Sequence, residues 1–210
     1  MEIIISLVVL IYSAILHEIA HGYVADRLGD PTARLMGRLT LNPVPHIDPM
    51  MTLALPLLLI ISGSPIIFGG AKPVPVDPYN LHEGKRDLAL VSLAGPLTNI
   101  VIAVIAAVFI HLIFRSDIQA VNMQLPFMIL KTIVHLNLLL AIFNLLPIPP
   151  LDGSKVLAMI LPDDLANSYL SIGRFGMILL FILLLSPIGG FSLIGLVGNL
   201  LEFSLRLLGL

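Results

Sequence analysis

Residues 3–25 read IIISLVVLIYSAILHEIAHGYVA, an apolar run interrupted by the ionisable side chains His17, Glu18 and His21. A membrane-spanning helix needs about 20 mostly apolar residues, so this run is long enough to be one. Residues 1–16 have no basic start and no small-residue cleavage site, and we interpret them as a retained membrane helix rather than a signal peptide. A charged group at the centre of such a helix costs about 2.5–3.5 kcal/mol. The three ionisable residues therefore need a compensating role.

The composition of the whole chain points the same way. Of its 210 residues, 58% are hydrophobic and 11% are charged, whereas a soluble domain has about 25% charged residues. A globule of this size cannot bury so much apolar surface, which excludes a soluble monomer. The net charge of -2 predicts no nucleic-acid partner. Without cysteine, the chain has no disulfides and no thiolate chemistry.

The apolar segments predict an all-α polytopic membrane protein with about five or six membrane segments. They are Ile3–Ala25, Met50–Gly70, Leu88–Phe114, Phe127–Leu146 and the uncharged Phe175–Leu201, which Ser186–Gly190 should divide into two helices. Between the second and third segments, Gly69–Val76 (GGAKPVPV) alternates Pro and Val, which predicts a short extended strand or polyproline segment. We expect one domain over residues 1–210, with a core over 1–161 and additional C-terminal membrane helices over 170–208.

The five residues His17-Glu18-Ile19-Ala20-His21 form an HExxH motif. Residues i and i+4 of a helix share one face, so the two imidazoles could bind a single zinc ion. The adjacent Glu18 could then activate a water molecule bound to that ion. This composition gives roughly 0.003 chance occurrences of the motif. A neutral His–Glu–His cluster that only fixes helix packing is the alternative interpretation, and it is disfavoured because intramembrane ionisable residues are usually functional.

A catalytic zinc site usually has three protein ligands and one open position, so a third ligand is needed. The candidates at membrane depth are His111, His135, Asp152 and, less directly, His46 or Asp48. Asp152 is the best of them because three prolines and a glycine break the helix around it, and broken backbone at membrane depth is tolerated where it lines a polar cavity. Asp152 could instead cap the segment Ser154–Leu161.

These motifs resemble those of the site-2 protease family of intramembrane zinc metalloproteases. The resemblance covers most of residues 3–153. Within the family, the sequence is similar to the compact prokaryotic branch without PDZ or CBS domains. The similar stretches are HExxH, Ser92–Pro96 (SLAGP) followed by Asn99, Asn144–Gly153 (NLLPIPPLDG), Gly37–Pro43 (GRLTLNP), His46–Pro49 (HIDP) and Ala71–Val76.

The resemblance implies one Zn²⁺ per chain, held by His17, His21 and Asp152, with Glu18 as the catalytic acid and base. It implies that Asn144 lies near the active site and contacts substrate. The expected activity is hydrolysis of peptide bonds in or near transmembrane segments of single-span or membrane-embedded protein substrates. For the remaining polar residues we expect structural roles for Ser92, Asn99, His111 and His135, and either a turn role or a role behind the metal ligands for His46.

Charge placement predicts how the chain crosses the membrane. If Met50–Gly70 crosses fully, basic loop residues divide four against six, with no bias. If it is re-entrant or broken and returns, nine lie on one side and only Arg115 on the other, which fits the positive-inside rule. The helices that carry the motif and Asp152 then run in the same direction. We therefore expect a multi-pass protein of the cell membrane, with the N-terminus outside and the active site nearer the cytoplasmic face.

Two other functions fit parts of the pattern. A metal-ion or proton transporter could use His17, Glu18, His21 and Asp152 as a relay, but it would be expected to have repeated broken helices, and the sequence contains one such constellation. A haem-binding electron carrier could use histidine pairs as axial ligands. The sequence does not specify the substrate or the oligomeric state.

Overall fold

The computed structural model describes residues 1–54, 58, 61, 71–114, 123–185 and 192–210. All regular structure within these ranges is helical. The α-helices are α1 (Glu2–Arg27), α2 (Thr32–Leu35), α3 (Lys85–Phe114), α4 (Gln124–Asn144), α5 (Asp152–Ile160), α6 (Asp163–Ser171), α7 (Gly173–Leu185) and α8 (Leu193–Leu207). Short 3-10 turns cover Val44–His46 and Pro78–Asn80, and a π-helical turn covers Pro49–Ala54.

Three of the described helices, α1, α3 and α4, are long and apolar enough to cross a membrane. A fourth span is possible if α6 and α7, which meet at an angle of 71°, are taken together. The predicted five or six segments are therefore not confirmed. Large apolar side chains such as Ile3, Leu112 and Phe175 remain exposed, as expected of helices whose outer surfaces face lipid rather than water.

The contacts between helices define their directions. Along α1 the chain approaches α4 at Ser6 beside Met128 and then at Ser13, whose hydroxyl oxygen accepts a hydrogen bond from Asn137. Both residue numbers rise together, so α1 and α4 run parallel, as predicted. Against α3 the order is reversed, because the Leu28 carbonyl accepts from the His82 amide just before α3 begins, and Ser13 meets Asn99 within it.

Small residues let α3 pack closely against its neighbours. Ala103, Ala106 and Ala107 are almost fully buried, and they share a core with Val134 and Leu138 of α4 and Leu201 of α8. In a membrane, where lipid is as apolar as leucine, such small residues favour helix association by allowing close van der Waals contact. The tight packing of α3 brings its polar residues within reach of α1 and α4.

The predicted return of Met50–Gly70 falls largely outside the described residues, and so do Gly69 and Gly70 of the predicted strand. Residues 71–77 have no regular secondary structure, and the short strand is not confirmed. What the structure does show is that the chain before and after this segment meets at one end of the helices. The Lys72 amide donates to the His46 carbonyl at 2.8 Å, in addition to the bond between His82 and Leu28.

A proline-rich turn joins α4 to α5. The helix α4 ends at Asn144, and α5 begins at Asp152 after a segment containing Pro147, Pro149 and Pro150. Gly153 allows the turn to fold back on the start of α5, because a Cβ atom there would lie 2.1 Å from the Leu145 carbonyl oxygen. The turn thereby places Asp152 beside α1.

Candidate metal centre

The side chains of His17, His21 and Asp152 converge into one buried cluster. The Nε2 atoms of the two histidines are 3.0 Å apart, and each lies 3.2 Å from Oδ2 of Asp152. Ligand atoms at about 2.0–2.2 Å from a tetrahedral zinc ion lie about 3.3–3.6 Å from one another. The three atoms therefore already have nearly the spacing that zinc requires, and they could supply the three protein ligands of a zinc site with one open position.

Hydrogen bonds on the far side of each imidazole fix which nitrogen faces the cluster. Nδ1 of His21 donates to the Val91 carbonyl at 2.7 Å, and Nδ1 of His17 donates to Oδ1 of Asn99 at 2.6 Å. A carbonyl oxygen can only accept, so the proton of each neutral ring lies on Nδ1. Each Nε2 atom is then left with a lone pair for a metal, and such outer partners orient metal-binding histidines and make them more basic.

Asn99 belongs to a buried polar network across three helices. Its Nδ2 donates to Oδ1 of Asn137 at 2.8 Å, and Asn137 in turn donates to the Ser13 hydroxyl at 2.9 Å and to the Ile133 carbonyl. Sequence reasoning assigned Asn99 a structural role, and it does link helices, but it also orients His17. It overlooked Asn137 and Ser13, although an asparagine in an apolar helix is a signal that could have identified the first.

The two carboxylate oxygens of Asp152 have different partners. Oδ2 faces both histidines, whereas Oδ1 accepts from Nζ of Lys155 at 3.2 Å. The N-cap of α5 is Leu151, and Asp152 is the first residue of the helix and makes no capping hydrogen bond. The capping interpretation of Asp152 is therefore not what the structure shows. Lys155 balances the negative charge of the carboxylate from the side opposite the histidines.

Glu18 follows His17 on α1 and is partly exposed. Its Oε2 accepts a hydrogen bond of 2.6 Å from the backbone amide of Val74. The motif thus places a carboxylate next to the candidate metal ligands, and the segment 71–77 lies against that carboxylate.

The remaining predicted candidates lie apart from the cluster. His46 is buried, with Nε2 donating to the Thr40 carbonyl at 2.9 Å, which matches the turn role. His111 donates to the Leu208 carbonyl, and His135 lines an open groove with Lys131. Nδ2 of Asn144 donates to the Leu140 carbonyl one turn earlier in α4, and a contact between Asn144 and substrate stays a prediction.

Comparison with known proteins identifies the class to which this fold and site belong. Residues 5–184 match peptidase family M50. The chain belongs to that family, the site-2 protease family, and it is a membrane metalloprotease by this membership and by its apolar helices.

The relatives of the chain include proteins named as zinc metalloproteases. The chain is 35% identical to "Putative zinc metalloprotease YwhC" of Bacillus subtilis over 89% of this chain and 82% of that protein. It is 33% identical to "Putative zinc metalloprotease Rip2" of Mycobacterium tuberculosis, over 83% of this chain and 64% of Rip2. It is 27% identical to "Zinc metalloprotease MJ0392" of Methanocaldococcus jannaschii, over 73% of this chain and 33% of that protein. No solved structure matches the chain.

Proposed function

We propose that this protein is a zinc-dependent intramembrane endopeptidase that hydrolyses peptide bonds in or near the transmembrane segments of other membrane proteins. The observation that carries the proposal is the buried triangle of His17, His21 and Asp152 with Glu18 beside it, built on a helix long enough to span the bilayer. A relay for transport would use the same four side chains, but membership of a peptidase family supports hydrolysis.

Each residue of the site has a proposed role. His17, His21 and Asp152 hold the zinc ion, which when bound polarises the scissile carbonyl and makes water nucleophilic near neutral pH. The Glu18 carboxylate accepts the proton of the attacking water and delivers it to the nitrogen of the leaving amine. Asn144, at the end of α4, contacts the substrate near the bond that is cut.

A helical substrate hides its scissile carbonyl in the hydrogen bonds between residues i and i−4, so it must be extended locally before attack. The segment Ala71–Val76 offers an extended backbone beside Glu18 for main-chain pairing with such a substrate. Its first half is already occupied, because the Lys72 amide and the Val74 amide have partners in His46 and Glu18. Among the described residues, nothing pairs with the Val74 carbonyl or the Val76 amide, and these are the groups we expect a substrate to use.

We further propose a place for this activity in the cell membrane, with the N-terminus outside and the site nearer the cytoplasmic face. The support is the nine-to-one distribution of basic residues when 50–70 returns. The substrates are then single-span or membrane-embedded proteins, and the bilayer is the surrounding solvent.

The proposal is tested with purified protein in detergent and a reporter that has one apolar span with glycines at its centre. We expect zinc-loaded wild type to cut the reporter within the span, as mapped by mass spectrometry of the products. Glu18→Gln should retain zinc and lose cleavage, because an amide cannot accept the proton. Glu202→Gln changes an exposed carboxylate of α8 in the same way and should cleave normally. Wild-type cleavage by Glu18→Gln, or cuts confined to parts of the flanks distant from the span, would contradict the proposal.

A further inference from the structure

The Glu18 carboxylate accepts a hydrogen bond from a backbone group. The amide of Val74 donates to Oε2 at 2.6 Å, which is short for an N–H donor and typical of a bond to a charged acceptor. Val74 lies between Pro73 and Pro75, neither of which has an amide hydrogen. It is therefore the one backbone donor that residues 73–75 can offer. Among the described residues, Oε1 of Glu18 has no such partner, and it remains available for the reaction.

Two further contacts hold the Val74 amide in place. The Lys72 amide donates to the His46 carbonyl at 2.8 Å, which ties the segment to the 3-10 turn Val44–His46. On the other edge, the buried Arg38 side chain donates to the Lys72 carbonyl at 2.8 Å and to the Pro73 carbonyl at 3.3 Å. A buried guanidinium bonded to two successive carbonyls fixes the peptide group that contains the Val74 amide and the peptide group before it.

The helix itself is shaped to admit the segment. Gly22 lies one turn after Glu18 on the same face of α1, since residues i and i+4 are neighbours. A Cβ atom on Gly22 would lie 2.8 Å from Cγ1 of Val74, closer than side chains ordinarily approach. The absence of a side chain at this position lets Val74, itself only 7% exposed, pack directly on the helix beside Glu18.

From these contacts we infer that the Val74 amide is a positioning group for Glu18: it holds one carboxylate oxygen so that the other is aimed at the reacting water. The inference rests on the proposed function for the role of Glu18, but the contact can be tested without it. A glutamate side chain has several rotamers, and a misplacement of about 1 Å in a catalytic group can cost about a hundredfold in rate. The segment 71–77 would thus serve the chemistry as well as the substrate.

Hydrogen exchange of the zinc-loaded full chain tests the contact directly. Replacing Glu18 with Ala removes the acceptor, and we expect the Val74 amide to exchange about tenfold faster or more, since a hydrogen bond to a charged group is lost. The Lys72 amide is an internal control, because its acceptor is the His46 carbonyl, and its exchange should not change. Unchanged exchange at Val74, or equal acceleration at Val74 and Lys72, would overturn the inference.

The role in the reaction is tested by Val74→Pro, which removes the amide hydrogen and suits an extended proline-rich segment. Val74→Ala is the matched control, because it removes side-chain packing and keeps the amide. On the reporter, Val74→Pro should lose about tenfold to a hundredfold in kcat, with KM and zinc content close to wild type. Val74→Ala should lose clearly less kcat than Val74→Pro, because it keeps the amide.

Equal kcat in the two variants would overturn the positioning role. If Val74→Pro loses zinc or melts early, the hydrogen-exchange result decides. The outcomes also separate this inference from the proposed function. If wild type fails to cut the reporter, the proposed peptidase function is contradicted. If wild type and Val74→Pro are both fully active and Glu18→Gln is inactive, only the positioning role of the Val74 amide is contradicted.

Discussion

Gly95 of α3 lies so close to His17 of α1 that a Cβ atom on the glycine would be 2.5 Å from Nε2 of the histidine. The same atom would be 2.5 Å from Nε2 of His21. Nε2 is the nitrogen that each ring presents to the candidate metal site. A side chain at residue 95 would therefore occupy the space beside both donor atoms. The glycine of the Ala-Gly-Pro sequence is thus explained by the room that the two imidazole rings need.

Gly95→Ala should therefore reduce zinc binding by about tenfold or more, since the rings must turn away from the positions that their outer hydrogen bonds define. Gly198→Ala is the matched control, because a Cβ atom there meets nothing within 4 Å. Zinc content of the two purified variants, measured by elemental analysis, distinguishes them. Normal zinc in Gly95→Ala would show that the rings adapt to the added methyl group.

Asn99→Ala should weaken zinc binding about tenfold to a hundredfold, because the hydrogen bond that orients His17 is lost while all three ligands remain. Competition with a chromogenic chelator measures the affinity. Asn167→Ala, at an exposed position of α6, should bind zinc like wild type. An unchanged affinity in Asn99→Ala would reduce Asn99 to the helix-linking role first assigned to it.

Asp30 connects the end of α1 to the segment before α3 through hydrogen bonds. Because these bonds affect the pKa of its carboxyl, we expect the stability of the protein to depend on pH. Burial raises the pKa of the Asp30 carboxyl, but hydrogen bonds from Thr32, Asn80 and the Asp77 amide together lower that pKa by more than burial raises it, so that the net shift is downward. With a folded pKa below the unfolded value of about 3.9, the stabilisation is present above that pH and is lost as pH falls below it.

Asp30→Asn should therefore lower the free energy of unfolding by about 1.5–3 kcal/mol at pH 7. The difference in the free energy of unfolding between this variant and wild type should narrow as the pH falls below about 4. Thermal unfolding in detergent, followed by circular dichroism at several pH values, measures it. Asp164→Asn, at an exposed position of α6, is the control. A difference that is constant down to pH 3 would contradict this account of Asp30.

The meeting of Leu28 and His82 predicts that both ends of the chain between α1 and α3 lie on one side of the membrane. Because the native chain has no cysteine, single cysteines are clean probes. Met36→Cys and Glu83→Cys should both react with an impermeant thiol reagent from the cytoplasmic side. Gln124→Cys, at the start of α4, should react from the other side. Labelling of residues 36 and 83 from opposite sides would refute the return of the segment between them.

The sequence was sufficient to predict the parts of the site that depend on local geometry. His17 and His21 share a face because helix periodicity alone places i and i+4 together. Asp152, which is 135 residues from His17, could be proposed because prolines and a glycine mark a break in the helix before it. The parallel direction of α1 and α4 followed from the requirement that these ligands meet.

The rest of the site depends on contacts between distant helices. The local sequence around Asn137 or Ser13 does not indicate which side chain each will contact. Gly95 matters because it has no Cβ atom, and only the packed helices show that a Cβ atom there would contact His17 and His21. The interaction of Val74 with Glu18 joins a loop to a helix 56 residues earlier. Such pairings arise from how the helices pack, and hydrophobic periodicity does not encode them. The number of membrane segments, predicted from apolar length alone, is not confirmed by the described helices.

Zinc stoichiometry of single-ligand variants tests most directly the claim that three side chains form one metal centre. Wild type should bind one zinc ion per chain, and His17→Ala, His21→Ala and Asp152→Ala should each lose most of it, because each removes one of the three donor atoms. Asp163→Ala removes an exposed carboxylate of α6 and should leave zinc at the wild-type level. Full zinc occupancy in Asp152→Ala would contradict the account, because the turn after α4 would then have no part in the site.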